Sequence, residues 1–450
     1  MKKHVLLGVV ILSFALNAGA QTIAAGDGHA FSICKDNTVR GWGQNFDGEL
    51  GNGNNNNSYT PVAASGLAGV IAIAAGANHT LAIKSNGTIW SWGDNLMGAL
   101  GDGTTTDHNT PVQVSGITNA IAVCGGSGHS IALKSDGTVW AWGNNAFGQL
   151  GISLSASSYT PVQTNIVSGI IAIACGDYHN LALKNDGTVW SWGFDTDGQL
   201  GQTSIIPAQV NGLTGVIAIA AGARHSLAIK SNGTIWAWGK NANGELGNGS
   251  KTSSSTPVQV SNLTGVIAIA GGMDHSLAVK NDGTVWAWGA NSSGQIGDGT
   301  YTDRTTPVKV SGLSGAVAVD GGDEYSIALK ADGKVWTWGF NGSGRLGDGT
   351  TLDSEIPVQP SGLCSALVLD IDEIEPLPDI HVYPNPISDY LYIKAYTAPD
   401  NNRIRIYDQM GRAVVEENLS IKELQIDMRH LPAGVYYLRT KRQGVKLIKK

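Results

Sequence analysis

Six histidines (His29, His79, His129, His179, His225 and His275) occupy one repeated place in a Gly-x-x-His phrase, and Tyr325 takes that place in a seventh copy. Imidazole is the side chain best suited to proton transfer or metal ligation near neutral pH. Those roles need one placement with dedicated partners. A residue recurring once per repeat reads instead as a hydrogen-bonding strut between a turn and a neighbouring strand. Cys34, Cys124, Cys175 and Cys364 match neither a zinc spacing nor a dense disulfide framework. Most replace small residues of the repeat, so they are expected as core residues. Ideal hairpin register would leave Cys34 and Cys364 about four residues apart along their strands, which argues against a bridge. Asp195-Thr196-Asp197-Gly198 opens like a calcium loop but lacks the downstream Glu, and other copies read Asn-x-x-Gly there, so it is expected to be a turn. The sequence has no nucleophile elbow, phosphate-binding loop or His-Glu-x-x-His phrase. No catalytic residue, metal site or cofactor is therefore expected.

The elements that carry these residues repeat. Trp-Gly steps end at Gly43, Gly93, Gly143, Gly193, Gly239, Gly289 and Gly339, 50 residues apart except for one step of 46. All 13 Trp residues belong to the pattern, and Arg40 takes one Trp place in the first copy. Each copy reads as four short strands, for example Val216 to Ala221, Ser226 to Lys230, Thr234 to Trp238 and one near Pro257 to Val260. Asn-Gly in Ser231-Asn232-Gly233 is a hairpin signal. Four-strand repeats of this length predict propeller blades, and seven of them close into a ring without exposed sheet edges. The fold class is all-β, with a seven-bladed β-propeller over residues 21–370. The Ile-Ala alternation of the first strand suits a crowded axis, and the Trp pairs at i and i+2 are placed to fill the space between blades.

The recurring Gly-x-x-His-Ser, Asp-Gly-x-Val-Trp-x-Trp-Gly and Asn-x-x-Gly-x-Leu-Gly phrases resemble the regulator of chromosome condensation repeat over residues 22 to 363. That family forms seven-bladed propellers, and its nuclear member exchanges guanine nucleotides on a small GTPase. The C-terminal part carries Tyr383-Pro384-Asn385-Pro386, Ile406 to Arg412 around Gly411, Leu431 to Tyr436 with Gly434, and a basic end at Lys449 and Lys450. These motifs resemble the sorting domain of the type IX secretion system, which implies a small β-sandwich over residues 380–450 and the type IX machinery as a partner. An acidic linker, 371–379, separates the two.

Lys2 and Lys3, an apolar stretch from Val5 to Leu16 and Ala18-Gly19-Ala20 predict a signal peptide over residues 1–20, cleaved after Ala20. It is too short for a stable span, and no transmembrane segment is expected in the mature chain. Secretion, or attachment to the outer-membrane surface after passage through the periplasm, follows. Residues 21–375 carry 15 basic and 28 acidic residues, a balance that repels phosphate backbones, so nucleic acid is not an expected partner.

Strand direction places the Gly-x-x-His and Trp-Gly-x-Asn-x-x-Gly turns on one face of the ring. The opposite face repeats Lys-Ser-Asn-Gly or a near copy. The first face varies blade by blade: Phe46, Leu96, Met97, Phe147, Tyr178, Phe194, Arg224, Met273, Asp274, Glu324 and Phe340. Varied apolar and charged residues on rigidly held loops are the mark of a binding surface. The expectation is an exported scaffold that binds a protein or a surface polysaccharide without catalysis of its own. A propeller enzyme, a polysaccharide-binding adhesin and, more remotely, guanine nucleotide exchange are the alternatives.

Overall fold

The computed structural model describes residues 22–368 apart from 154, 155 and 167. In the C-terminal part it describes 380–383, 387, 389–395, 402–407, 413–419, 423–432, 434–439 and 444–449. The chain forms two compact units, Met1–Val368 and Leu369–Lys450. The expected signal peptide and acidic linker, Pro384, Asn385, Pro386, Gly411 and Lys450 lie outside the described residues.

The first unit is a ring of seven four-stranded antiparallel sheets, each ordered from the axis outward in chain order. Blade 5 shows the pattern, with strands Val216–Ala221, His225–Lys230, Ile235–Gly239 and Ser254–Gln259. Its second hairpin turns where Gly233 takes φ +75° and the Asn232 carboxamide oxygen accepts from the Thr234 amide at 3.1 Å. In blade 1 Asn37, at φ 60°, replaces that glycine, a position only a short polar side chain tolerates. Blade 4 accounts for the 46-residue step, because its outer strand is only Ala208–Gln209 where other blades have five or six residues.

One Trp of each copy (Trp42, Trp92, Trp142, Trp192, Trp238, Trp288 and Trp338) is fully buried against the preceding blade. The other Trp of each pair is only partly covered, and Lys84, Lys134, Lys230 and Lys280 lie over four of these rings. The inner strands also depart from the expected small lining. In each of blades 2 to 7 the ladder skips the second residue of the strand, as between Val70 and Ala72. A bulge frees that residue from the sheet, and Ile71, Ile121, Ile171 and Ile217 are exposed.

Blade 1 is built from both ends of the unit. Its inner strand Ile23–Ala25 pairs with His29–Ile33, and the missing start is supplied by residues after blade 7. Ala366 bridges to Cys34, the Leu367 amide donates to the Ile33 carbonyl at 2.7 Å, and the Lys35 amide donates to Ser365 at 3.1 Å. Ala366 is fully buried.

This closure overturns the sequence-based expectation for the cysteines. Cys34 and Cys364 form a disulfide, with 5.7 Å between Cα atoms, because Cys364 belongs to the segment that crosses into blade 1 and not to a hairpin of its own blade. Cys124 and Cys175 are also bonded, joining the inner strands of blades 3 and 4. Both places carry alanine in blade 2, at Ala74 and Ala75, and only the ring brings them together. At the junction of blades 7 and 1 the corresponding residues are Asp320 and Ala25, joined by a hydrogen bond from the Ala25 amide to the Asp320 carboxyl at 3.0 Å.

The second unit contains a three-stranded sheet and a four-stranded sheet sharing a core that includes Leu391, Ile393, Ile406, Ile426 and Leu438.

Candidate binding surface

The repeated histidines are fully enclosed at the blade junctions. His79 Nε2 lies 2.8 Å from Ser130 Oγ of the next blade, and the Ser130 hydroxyl donates to the Ala99 carbonyl of His79's own blade at 2.8 Å. Because the hydroxyl hydrogen is committed to that carbonyl, the imidazole must donate, which assigns the proton to Nε2. The same carbonyl accepts from Trp142 Nε1 at 2.7 Å. His29, His129, His179, His225 and His275 repeat the contact with Thr80, Asn180, Ser226, Ser276 and Ser326. At the last junction blade 1 offers only Ala30, and Tyr325 reaches past it to donate to the His29 carbonyl at 2.6 Å. Burial lowers these imidazoles from the usual 6.5 to about 3 in His29, His79, His179 and His275, and to about 4 in His129 and His225. They are neutral struts without access to a substrate.

The turns above them approach one another closely. A Cβ on Gly126 would stand 2.7 Å from the Gly176 carbonyl oxygen and 2.2 Å from its own His129 ring. Backbone bonds link turn to turn, as from Ala77 to Gly126 at 3.1 Å. The first variable residue of these turns is carried to the axial mouth, where Asp27, Asp177 and Asp323 act on one another. The Asp27 side chain is open to solvent, yet protein atoms around it replace much of its hydration. That desolvation, with repulsion from Asp177 and Asp323, raises it to about 7 against the opposing Arg345. Burial likewise raises Asp177 to about 6. Sequence reasoning missed this convergence, because the three residues are separated by 150 and 146 positions.

Further out, the Asn-x-x-Gly turns carry the varied apolar residues. Phe46 is 62% exposed, Leu96 68%, Met97 43% and Phe147 42%. Phe147, Tyr178 and Phe194 gather into an edge-to-face cluster with centroids 4.8 to 6.1 Å apart. Arg224 lies over Phe194 and pairs with Asp197 at 3.5 Å. Met273 is exposed, Asp274 pairs with Lys240 at 2.7 Å, Glu324 accepts from Ser293 at 3.1 Å, and Phe340 lies beneath Arg345. The face thus divides into an apolar arc over blades 1 to 4 and a charged arc over blades 5 to 7. Ile205 and Ile206, exposed where blade 4 is shortened, are an apolar pair that the repeat alignment could have flagged.

Asp195 serves as a turn residue, accepting from the Leu200 amide at 2.9 Å as Asn45 does from Leu50 at 2.8 Å. Among the described residues no group of three or more His, Cys, Asp or Glu side chains is arranged to hold a metal ion. Of the sorting motifs, Gly434 pairs with Lys449 between neighbouring strands, and buried Tyr436 donates to the Pro432 carbonyl at 2.8 Å.

Residues 62–371 match the RCC1-like domain, and residues 36–83 and 21–49 match the regulator of chromosome condensation (RCC1) repeat. The chain belongs to the RCC1-like domain family. Residues 381–450 match the secretion system C-terminal sorting domain, which implies interaction with the secretion machinery and export to the cell surface or beyond. No curated protein matches the chain. Among solved structures, Prp20p from Saccharomyces cerevisiae is similar at 25% identity and TM-score 0.66, over 76% of this chain and 88% of that one. A structure of Kap60 bound to yeast RCC1 (Prp20) matches at 25% and 0.64, over 71% and 82%. Human WBSCR16, at 23% identity and TM-score 0.65 over 72% and 94%, shares the fold. Among the described residues no helix is long and apolar enough to cross a membrane.

Proposed function

We propose that the protein is an exported scaffold that binds another protein through the varied face of its propeller and performs no chemistry of its own. The observation that carries this reading is the run of exposed apolar side chains at Phe46, Leu96, Met97 and Phe147 on successive blades, held by closely packed turns. Apolar side chains held open to water on a rigid frame, blade after blade, mark an interaction site. Prp20p, whose structure was described with its binding to Gsp1p and histones, lends the family likeness a precedent for protein partners. The signal peptide and the C-terminal unit direct the chain through the periplasm to the surface, where the propeller is released or held.

The test is retention of partners from cell-surface extracts by the exported protein. Combined Phe46→Ala, Phe147→Ala and Phe194→Ala is expected to abolish retention while leaving the melting temperature near that of the parent. Combined Lys84→Ala, Lys134→Ala and Lys184→Ala on the opposite face is expected to leave retention intact. Equal loss from both sets would refute the assignment.

A further inference from the structure

The charge of the varied face is as uneven as its polarity. Its cations are already engaged: Arg224 with Asp197 at 3.5 Å, Lys240 with Asp274 at 2.7 Å and Arg345 with Asp323 at 3.7 Å. Among the described residues no lysine or arginine forms an ion pair with Asp27, Asp47, Asp94, Asp177 or Glu324. The four aspartates among them border the apolar arc on two sides. Asp27 and Asp177 stand on the inner turns that follow the first strands, and Asp47 and Asp94 stand beside Phe46 and Leu96 on the turns that follow the third strands. They also disturb one another. Desolvation raises Asp47, with repulsion from Asp94 and Asp107 added, and Asp27 feels Asp177 and Asp323 in the same sense.

An acidic partner would add to this repulsion, which disfavours anionic polysaccharide, nucleic acid and acidic protein alike. A neutral apolar partner would cover the arc and leave the carboxylates less hydrated. Positive charge interleaved with apolar side chains satisfies both features. We infer that the occupant of this face is a cationic amphipathic polypeptide segment, with apolar side chains on Phe46, Leu96, Met97 and Phe147 and basic ones on the flanking carboxylates. This inference rests on the reading that the face binds protein.

The other blades supply variants that spare the fold. Asp94 Oδ1 accepts from the Leu96 amide at 3.1 Å, and Asn144 does the same for Ala146 at 2.9 Å. Asn243 stands where blade 1 has Asp47, and Ser127 where it has Asp27. Asp27→Ser, Asp47→Asn and Asp94→Asn therefore place residues the repeat already accommodates. A control of equal charge is Asp136→Asn, Asp186→Asn and Asp282→Asn on the opposite face. There Asp136 accepts from Thr138 at 3.0 Å and Asn232 accepts from Thr234 at 3.1 Å in the same hairpin position.

The experiment titrates the exported protein with a labelled amphipathic peptide of Leu and Lys, and with a Leu and Glu peptide of the same length and pattern, followed by fluorescence anisotropy. The Leu and Lys peptide is expected to bind and the Leu and Glu peptide not to bind. Affinity should fall about tenfold or more in the first carboxylate variant, and by a similar factor when salt is raised from low to physiological strength. The opposite-face control should bind like the parent. Equal weakening by both carboxylate sets, or comparable binding of the two peptides, would overturn the inference. An acidic, salt-insensitive natural partner that still requires Phe46, Phe147 and Phe194 would also overturn it while sparing the protein-binding reading. No dependence of any partner on those phenylalanines would remove the reading itself.

Discussion

Acidification from pH 7 to pH 5 is expected to lower the melting temperature of the propeller by roughly 5 °C or more, with uptake of several protons on unfolding. Six fully buried imidazoles are neutral in the folded ring, lowered to about 3 or 4 from the usual 6.5. The unfolded chain binds protons at these sites below 6.5 and the folded chain does not. Stability is therefore lost as pH falls from 6.5 toward the folded values. At pH 5 each site removes roughly 2 kcal/mol, a total comparable with the whole stability of a domain. Raised carboxyls act in the opposite sense, and three of them carry the largest shifts. Asp27 and Asp320, raised to about 7, and Asp177, raised to about 6, favour the folded state as pH falls from those values toward 3.8. Asp27 and Asp177 reach solvent in the channel, which weakens their share, and six histidines outweigh them. Calorimetry across this pH range measures the effect, and a flat melting temperature would contradict neutral, enclosed imidazoles.

Removing the Cys34–Cys364 bridge is the second large perturbation. The bond joins residues 330 apart, against 51 for Cys124–Cys175. In the chain-entropy account these loops correspond to about 6 and about 4 kcal/mol. The first bond also holds the segment through which Ala366 and Leu367 complete blade 1. Combined Cys34→Ser and Cys364→Ser should therefore lower the melting temperature more than Cys124→Ser and Cys175→Ser. Equal melting of the two double variants would show that the ring is closed by other contacts.

Contacts within one blade were legible in the sequence. The Asn-Gly turn at Gly233 and the strand Ile235–Gly239 follow from local propensity and from a period that repeats seven times, and the same period marked His225 as a strut without revealing its partner Ser276 in the next blade. What escaped it lies between blades. Cys124 meets Cys175 only when blades 3 and 4 pack side by side, Asp320 meets Ala25 and Asp27 feels Asp177 and Asp323 only after ring closure, and no hairpin register encodes those distances. The bulge that exposes Ile71 escaped for a related reason. Alternation of Ile and Ala describes a regular strand, whereas the innermost strand skips a residue in its ladder with Lys84 and Ile83. The varied face was readable as a set of residues, but not as an apolar arc beside a charged one. That division depends on Arg224, Lys240 and Arg345 finding Asp197, Asp274 and Asp323.

Hydrogen–deuterium exchange of the exported protein, with and without a retained partner, bears most directly on the claim that the varied face is the working surface. Protection is predicted in 44–49, 94–99, 144–149, 176–178 and 194–198, the turns that carry Phe46, Leu96, Met97, Phe147, Tyr178 and Phe194. Protection confined to the opposite turns around Lys84, Lys134 and Lys184 would contradict it.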